Sequence, residues 1–362
     1  MGEQDGIWAL GLMSGTSMDG VDAALVLTDG IEIFEFGATG YRPYTGDERA
    51  IIAAAQGKWP GEAGVAEAAE VVEAAHLDLI RRFGGVDLVG FHGQTLAHDP
   101  ANHRTHQAGD GARLAKALGL PVVWDFRSND MAAGGQGAPL APFYHFALAR
   151  RMGKGPVAFL NLGGVGNISF VDTRHPRPDA DGALLAFDTG PANALMDDFA
   201  LKRTGLACDY GGALAAIGKV DEKILASFLS HDYFRQKPPK SLDRNAFADL
   251  AYAVERLSDT DGLATLAGAT IQSVKSAFAF APDGMTRLLV AGGGRKNPHL
   301  MQGLARNLDL PVEDVDASGL DGDMLEAQAF AYLAARARIH LNISAPGTTG
   351  IAKPISGGRL SG

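Results

Sequence analysis

Two stretches far apart in the chain share one form, and that form restricts how the chain can fold. Ile7–Asp29 reads as an apolar strand, the small-residue turn Gly15-Thr16-Ser17-Met18-Asp19-Gly20, and a second strand. Pro156–Asp172 reads the same way around Leu162-Gly163-Gly164-Val165-Gly166-Asn167. The letters hardly match, but the repeated form predicts a duplicated lobe, each copy opening on a glycine-turned hairpin. A chain of 362 residues also exceeds what one core usually supports, so two lobes with a cleft between them are expected.

The first lobe continues with a third strand through Ile31–Gly40 and two helical stretches, Asp47–Lys58 and Gly61–Phe83. A buried strand over Val86–Gly93 follows, leading into a loop through Pro100, then a short helix near Ala112–Leu118 and a strand Pro121–Phe126. Ala132–Pro139 is the most linker-like stretch, which places an N-terminal lobe at 1–137 and a C-terminal lobe at 138–339. The segment 340–362 is expected to complete the first lobe, with the amphipathic helix around Gly322–Ala335 carrying the chain back.

The formal net charge of −10, with no run of Lys or Arg, argues against a nucleic-acid binder. An acidic enzyme still binds a nucleotide with backbone N–H groups and a divalent ion. Cys208 is the only cysteine, which excludes an internal disulfide and points to a reducing compartment. Met1–Gly6 carries no hydrophobic signal region, no apolar run is long enough to span a membrane, and Gly6 stands where a myristoylation pattern wants Ser or Thr. The expectation is a cytoplasmic protein that acts on a small molecule, away from membranes.

In the first turn, Gly15 and Gly20 let N–H groups converge on an anion, Thr16 and Ser17 add hydroxyl donors, and Asp19 can hold a magnesium ion. Asp19-Gly20 is equally an ordinary hairpin turn pair. Gly163, Gly164 and Asn167 offer a second cradle, and phosphoryl transfer uses donors on both sides of a phosphate chain. Asp188 follows an apolar strand and precedes the helix that Pro191 starts, a position for a general base or for a helix cap. Gly292, Gly293, Gly294 and Asn297 turn a strand into a helix, with Asp314 and Asp316 downstream. The pattern approaches a dinucleotide fingerprint, but Asn297 stands where a glycine is required, so a glycine shelf against an adenine ring fits better. His92, His98, His103 and His106 lack metal-ligand spacing, whereas His92, Gln94 and Thr95 in a strand-end loop are candidates for substrate contact. Arg127 can meet an anionic group with its guanidinium fork, or simply pair with Asp130.

These residues sit in longer motifs: GLMSGTSMDGVD, FHGQTLAHDP, DFRSNDMAAGGQGAPLAP, NLGGVGNIS, FDTGPANALMD, AGGGRKNPHLM and GDMLEAQAFAYLA. From end to end the chain resembles the anhydro-N-acetylmuramic acid kinase family. The resemblance implies an α/β, two-lobed actin-like ATPase fold, with ribonuclease H-like duplicated lobes and a central nucleotide cleft, in a homodimeric cell-wall recycling enzyme. It implies ATP and Mg2+, with ATP on Gly15 to Asp22, including Met18 and Val21, and the adenosine near Gly292–Gly294. It also implies that Asp188 activates a water that opens 1,6-anhydro-N-acetylmuramic acid as O6 is phosphorylated, and that Arg127 and Glu326 contact or position the sugar. On helical spacing alone Glu326 is equally a solvent-facing or salt-bridging residue. Where the family commonly shows Pro-Lys-Ser-Thr-Gly-Arg-Glu, the chain has Pro239-Lys240-Ser241-Leu242-Asp243-Arg244-Asn245, departing at Leu242, Asp243 and Asn245, and Gln107–Asp110 has Ala108 where a larger apolar residue is usual.

Overall fold

A computed structural model describes residues 6–15, 17–153, 155–242 and 246–362. The described chain separates into two compact units. One comprises Met1–Gly153, Arg177–Leu184 and Met324–Gly362, and the other Lys154–Pro176 and Leu185–Asp323.

The first unit's sheet is built from β1 (Ile7–Ser14), β2 (Gly20–Thr28), β3 (Ile33–Pro43), β4 (Leu88–Asp99), β5 (Arg104–Ala108) and β6 (Val122–Trp124). The second unit's sheet is built from β7 (Val157–Leu162), β8 (Val165–Val171), β9 (Leu184–Pro191), β10 (Leu288–Ala291) and β11 (Val312–Asp314). The C-terminal β12 (Arg359–Ser361) returns to the first sheet, antiparallel to β6.

The two sheets repeat one plan. Their orders run β3-β2-β1-β4-β6 and β9-β8-β7-β10-β11. In each, the opening pair is antiparallel (β1/β2, β7/β8), and the opening strand runs parallel to a strand that arrives after a long crossover (β1/β4, β7/β10). A further parallel strand follows on the far side (β4/β6, β10/β11). This three-two-one-four-five order, present twice, bears out the duplication expected from the paired hairpins and the ribonuclease H-like α/β plan that the family resemblance implied. β10 is parallel to both of its neighbours, so what counts against a dinucleotide-binding reading of Gly292–Gly294 is Asn297 in place of the third motif glycine and the place of this turn in a repeated mixed-sheet plan.

β1 and β4 are central strands and read as nearly continuous apolar runs because both faces are covered. One cover is the alanine-rich helix Leu325–Arg338, whose approach depends on two glycines. A Cβ on Gly11 would lie 1.9 Å from the Ala327 carbonyl oxygen and 2.2 Å from the Ala331 nitrogen, and one on Gly90 would lie 2.3 Å from the Phe330 carbonyl oxygen. The helix therefore belongs to the first unit, and the return begins at Met324, not at residue 340. The expected break at 137 is displaced for a comparable reason. Asp130 is buried and accepts from the Gly137 N–H (2.7 Å) and the Thr349 hydroxyl (2.7 Å), so the glycine-rich stretch is folded around a carboxylate instead of linking two bodies.

The stretch after Gly93 is also more ordered than its sequence suggests. β4 continues to Asp99 because β5 pairs with it antiparallel, Gln94 opposite Ala108 and Thr95 opposite Gln107, while Gly93 takes a φ of 74°. In the second unit the helix Asp259–Ala277, capped by Ser258, buries Leu263, Leu266, Ile271 and Val274 in one core with Leu160, Leu288 and Val290. Among the described residues no helix is long and apolar enough to cross a membrane.

If the Gly11 contact sets the seat of the C-terminal helix, Gly11→Val will lower stability by about 3 kcal/mol, the scale of overpacking a close-packed interior. Urea denaturation checks this; an unchanged midpoint would show that the helix can move aside.

Candidate active site

In the second unit Asp188 lies inside β9 and is half-buried. Both carboxylate oxygens are held. Asn167, from the turn side of β8, donates its Nδ2–H to Oδ1 at 2.8 Å, and the Leu242 N–H donates to Oδ2 at 2.7 Å. The main chain is held as well: the Asp188 N–H donates to the Lys240 carbonyl at 3.0 Å, and the Tyr233 hydroxyl donates to the Asp188 carbonyl. Helix-capping is excluded, since the helix Asn193–Thr204 has Ala192 at its cap and no side-chain cap bond. Burial pushes the Asp188 carboxyl above the ordinary aspartate range, and the bonds from Asn167 and Leu242 pull it partly back. A carboxylate accepts about four hydrogen bonds, so two donors leave acceptor capacity for a water.

The glycine turn beside it is tightly fitted. The Gly163 carbonyl accepts from the Asn193 N–H at 2.9 Å and the Gly164 carbonyl from the Ala194 N–H at 3.1 Å, so this turn satisfies the first donors of the Asn193–Thr204 helix. Gly292, at φ 74°, has no room for a side chain: a Cβ would lie 2.2 Å from Asn161 Oδ1. A Cβ on Gly294 would meet Leu162 at 2.5 Å, whereas Gly293 is looser, with Asn193 at 3.4 Å. Asn297, expected beside an adenosine, caps the helix Pro298–Asn307 instead, its Oδ1 accepting from the His299 N–H (3.0 Å) and the Leu300 N–H (3.2 Å). Asp314 and Asp316, the ribose-binding positions of a dinucleotide motif, are engaged by buried Arg295 at 3.4 and 3.1 Å, and Asp323 joins them at 3.0 Å. Arg295 also donates to the Gly292 carbonyl at 3.1 Å, which braces the turn.

In the first unit the Gly15–Gly20 turn is pinned from beneath. Gln94 is fully buried and donates to the Gly15 carbonyl at 3.0 Å while accepting from the Ser14 hydroxyl at 2.5 Å. Gln94 is thus a strut for the turn and not a side chain presented to a ligand. Ser14 lies 3.0 Å from the Tyr44 hydroxyl, which burial pushes up to about 12. Met18 sits at φ 53°, its carbonyl accepting from Arg49 Nε at 2.9 Å. Asp19 is exposed; its Oδ1 accepts from the Ser17 hydroxyl at 2.7 Å. Val21 is buried in β2 and Asp22 half-buried, whereas Thr16 lies outside the described residues.

Three of the residues singled out for sugar contact come together in this unit. Arg127 donates from Nε to His92 Nε2 at 3.0 Å and from its terminal nitrogen to the Gly137 carbonyl at 2.7 Å. An arginine cannot accept, so His92 is neutral with its proton on Nδ1, donated to the Gly93 carbonyl at 2.9 Å. Burial and the Arg127 charge together hold this imidazole well below its usual range. Burial lowers Arg127 itself to about 10, with Glu326 and Asp130 opposing. Glu326, in the first turn of the Leu325–Arg338 helix, keeps solvent access; lost hydration raises its carboxyl and the Arg127 charge pulls it down. Phe330 underlies the group, 4.4 Å from the His92 ring and 6.0 Å from the guanidinium. Thr95 is apart, accepting from Gln107 at 3.2 Å. His98 and His106 are bonded separately, to the Thr105 hydroxyl (3.0 Å) and the Lys58 carbonyl (3.1 Å).

Tyr233, Lys240 and Leu242 were not singled out as site residues. They hold Asp188 through backbone groups and a phenol, contacts that leave no spacing pattern in a sequence.

A sequence profile of the anhydro-N-acetylmuramic acid kinase family matches residues 7–361. The chain belongs to this family. It is 62% identical to the anhydro-N-acetylmuramic acid kinase of Cereibacter sphaeroides, over 98% of this chain and 96% of that protein. It is 55% identical to that of Ruegeria sp. strain TM1040, over 98% and 94%. A ROK family glucokinase from Streptomyces griseus, solved with glucose and AMPPNP, overlaps 90% of this chain and 99% of its own at TM-score 0.40 and 15% identity, too distant to argue from. Membership in the family makes the chain a phosphotransferase, a kinase of amino-sugar metabolism.

The Asp188 geometry carries a direct expectation. Followed by carbon-13 NMR, its carboxyl will titrate above the ordinary aspartate range, and Asn167→Ala will move it higher by removing a bond that favours the charged form. A titration at or below the ordinary range would show that the carboxylate is better solvated than its surroundings imply.

Proposed function

We propose that the chain uses ATP to convert 1,6-anhydro-N-acetylmuramic acid into N-acetylmuramic acid 6-phosphate, with Asp188 as general base. The observation that carries this is the carboxylate itself: gripped on both oxygens, raised by burial, and not used as a helix cap. A base with a raised pKa is better matched to proton transfer near neutral pH than an ordinary aspartate.

In this reading Asp188 takes a proton from water, and the water oxygen bonds to the anomeric carbon. The bond from that carbon to O6 breaks with its electron pair on O6. That oxygen attacks the γ-phosphorus, ADP leaves, and Asp188 releases its proton to solvent. The Gly15–Asp22 turn and the N–H groups of Gly163 and Gly164 are assigned to phosphates, and Gly292–Gly294, where Gly292 and Gly294 leave no room for a side chain, to the adenosine. Asp19, exposed beside the Ser17 hydroxyl, is the oxygen ligand that suits a magnesium ion, which when bound neutralises phosphate charge. His92, Arg127 and Glu326 are assigned to the sugar, where the neutral imidazole keeps Arg127 oriented. The reading extends to a cytoplasmic homodimer that recycles cell-wall sugars.

Asp188→Asn is expected to leave ATP binding nearly intact and to lower turnover at least about a hundredfold, the usual scale for a lost general base. Turnover within a few-fold of the parent enzyme would remove Asp188 from the role. With ATP in oxygen-18 water, the label is expected at the anomeric hydroxyl. A product without it, once slow exchange is allowed for, would mean that an intact sugar hydroxyl is phosphorylated instead. ADP release that anhydro-N-acetylmuramic acid fails to stimulate would point to a nucleotide-driven switch and not a kinase.

A further inference from the structure

Lys240 is a buried cation whose position is not explained by charge pairing. It is 8% exposed, and among the described residues it makes no ion pair. Its Nζ makes one hydrogen bond, donated to the Tyr233 carbonyl at 2.7 Å. Around it stand three aromatic rings, those of Tyr233 (4.3 Å from ring centre to Nζ), Phe280 (5.4 Å) and Phe187 (5.6 Å). Burying an ammonium group without a carboxylate is costly, and ring faces with one carbonyl compensate only in part. Packing alone would be served by an uncharged side chain of the same length.

What the ammonium does is join two segments that converge on Asp188. Of the four hydrogen bonds described above for that residue, three come from the stretch 233–242: the Tyr233 hydroxyl to its carbonyl, its N–H to the Lys240 carbonyl, and the Leu242 N–H to Oδ2. The bond from Nζ to the Tyr233 carbonyl closes this stretch on itself, and Phe187 and Phe280 hold the closed form against β9. Leu242 follows the lysine by two residues, so the placement of its N–H depends on where Lys240 is anchored.

We infer that Lys240 is a positioning residue for Asp188: its caged ammonium locks the 233–242 segment so that the Leu242 N–H and Tyr233 hydroxyl hold the base aimed and ionisable. This rests on the reading of Asp188 as the base. Lys240 acts through its neighbours and is not assigned a contact with substrate.

The test is Lys240→Met, which keeps the length and apolar bulk but not the charge. Turnover is expected to fall roughly tenfold, the size of one weakened hydrogen bond to a charged group, with the KM for ATP nearly unchanged. The acid limb of the turnover–pH profile should move to higher pH, since loosening the Leu242 donor disfavours the charged carboxylate. Tyr233→Phe, which removes only a hydroxyl, should move the same limb in the same direction, and it carries the test if Lys240→Met does not fold. A folded Lys240→Met with the parent's turnover and pH profile would overturn the inference, as would an effect confined to KM or an unmoved limb in Tyr233→Phe. Asp188→Asn measured alongside separates the two readings: if it retains turnover the base assignment itself fails, whereas a silent Lys240→Met beside an inactive Asp188→Asn defeats only the role of the lysine.

Discussion

A charged group taken out of water must be held by hydrogen bonds or it will not stay charged, and within their own units Asp188, Arg127, Arg295 and Asp130 are each arranged under that constraint. Asp188 is held on both oxygens and at both main-chain groups. Arg127 spends its guanidinium on one imidazole nitrogen and one carbonyl. Arg295 gathers three carboxylates, and Asp130 collects an N–H and a hydroxyl. Half-satisfied, any of these would be a liability; satisfied, each fixes the loop that carries it.

The same constraint explains why loops with weak local preferences are ordered. The glycine-rich stretch 132–139 has no intrinsic tendency towards one shape, and it takes one because Asp130 and Arg127 need its N–H and carbonyl groups. The Gly292 turn is likewise braced by Arg295 from below and by the absence of room above. Rigid turns of this kind suit a phosphotransferase, where positioning supplies most of the catalysis.

Much of the architecture was legible because it rests on local rules. Alternating and continuous apolar runs mark β1, β2, β7 and β8, and the glycine turns between them mark the duplication. His92 was a candidate because the sequence reads as a strand end there, and Arg127 and Glu326 because of the motif resemblance; that the three stand together is not written in their spacing, since His92 and Glu326 lie 234 positions apart. Where the reading fell short, a distant partner had decided the outcome. The stretch after Gly93 became strand because β5 returned to pair with it, Gln94 turned inward to hold the Gly15 carbonyl, and Asn297 went to a helix cap.

The sequence by itself determined the repeated hairpins, the α/β class, the family and the carboxylate at 188, because hydrophobic period, turn chemistry and long motifs are written in neighbouring letters. Only the tertiary structure decided that the Leu325–Arg338 helix seats on Gly11 and Gly90, that residue 153 and not 137 ends the first run of its unit, and that Lys240 and Leu242 grip Asp188. These depend on steric exclusion and hydrogen bonds between residues tens to hundreds of positions apart, which no local pattern encodes.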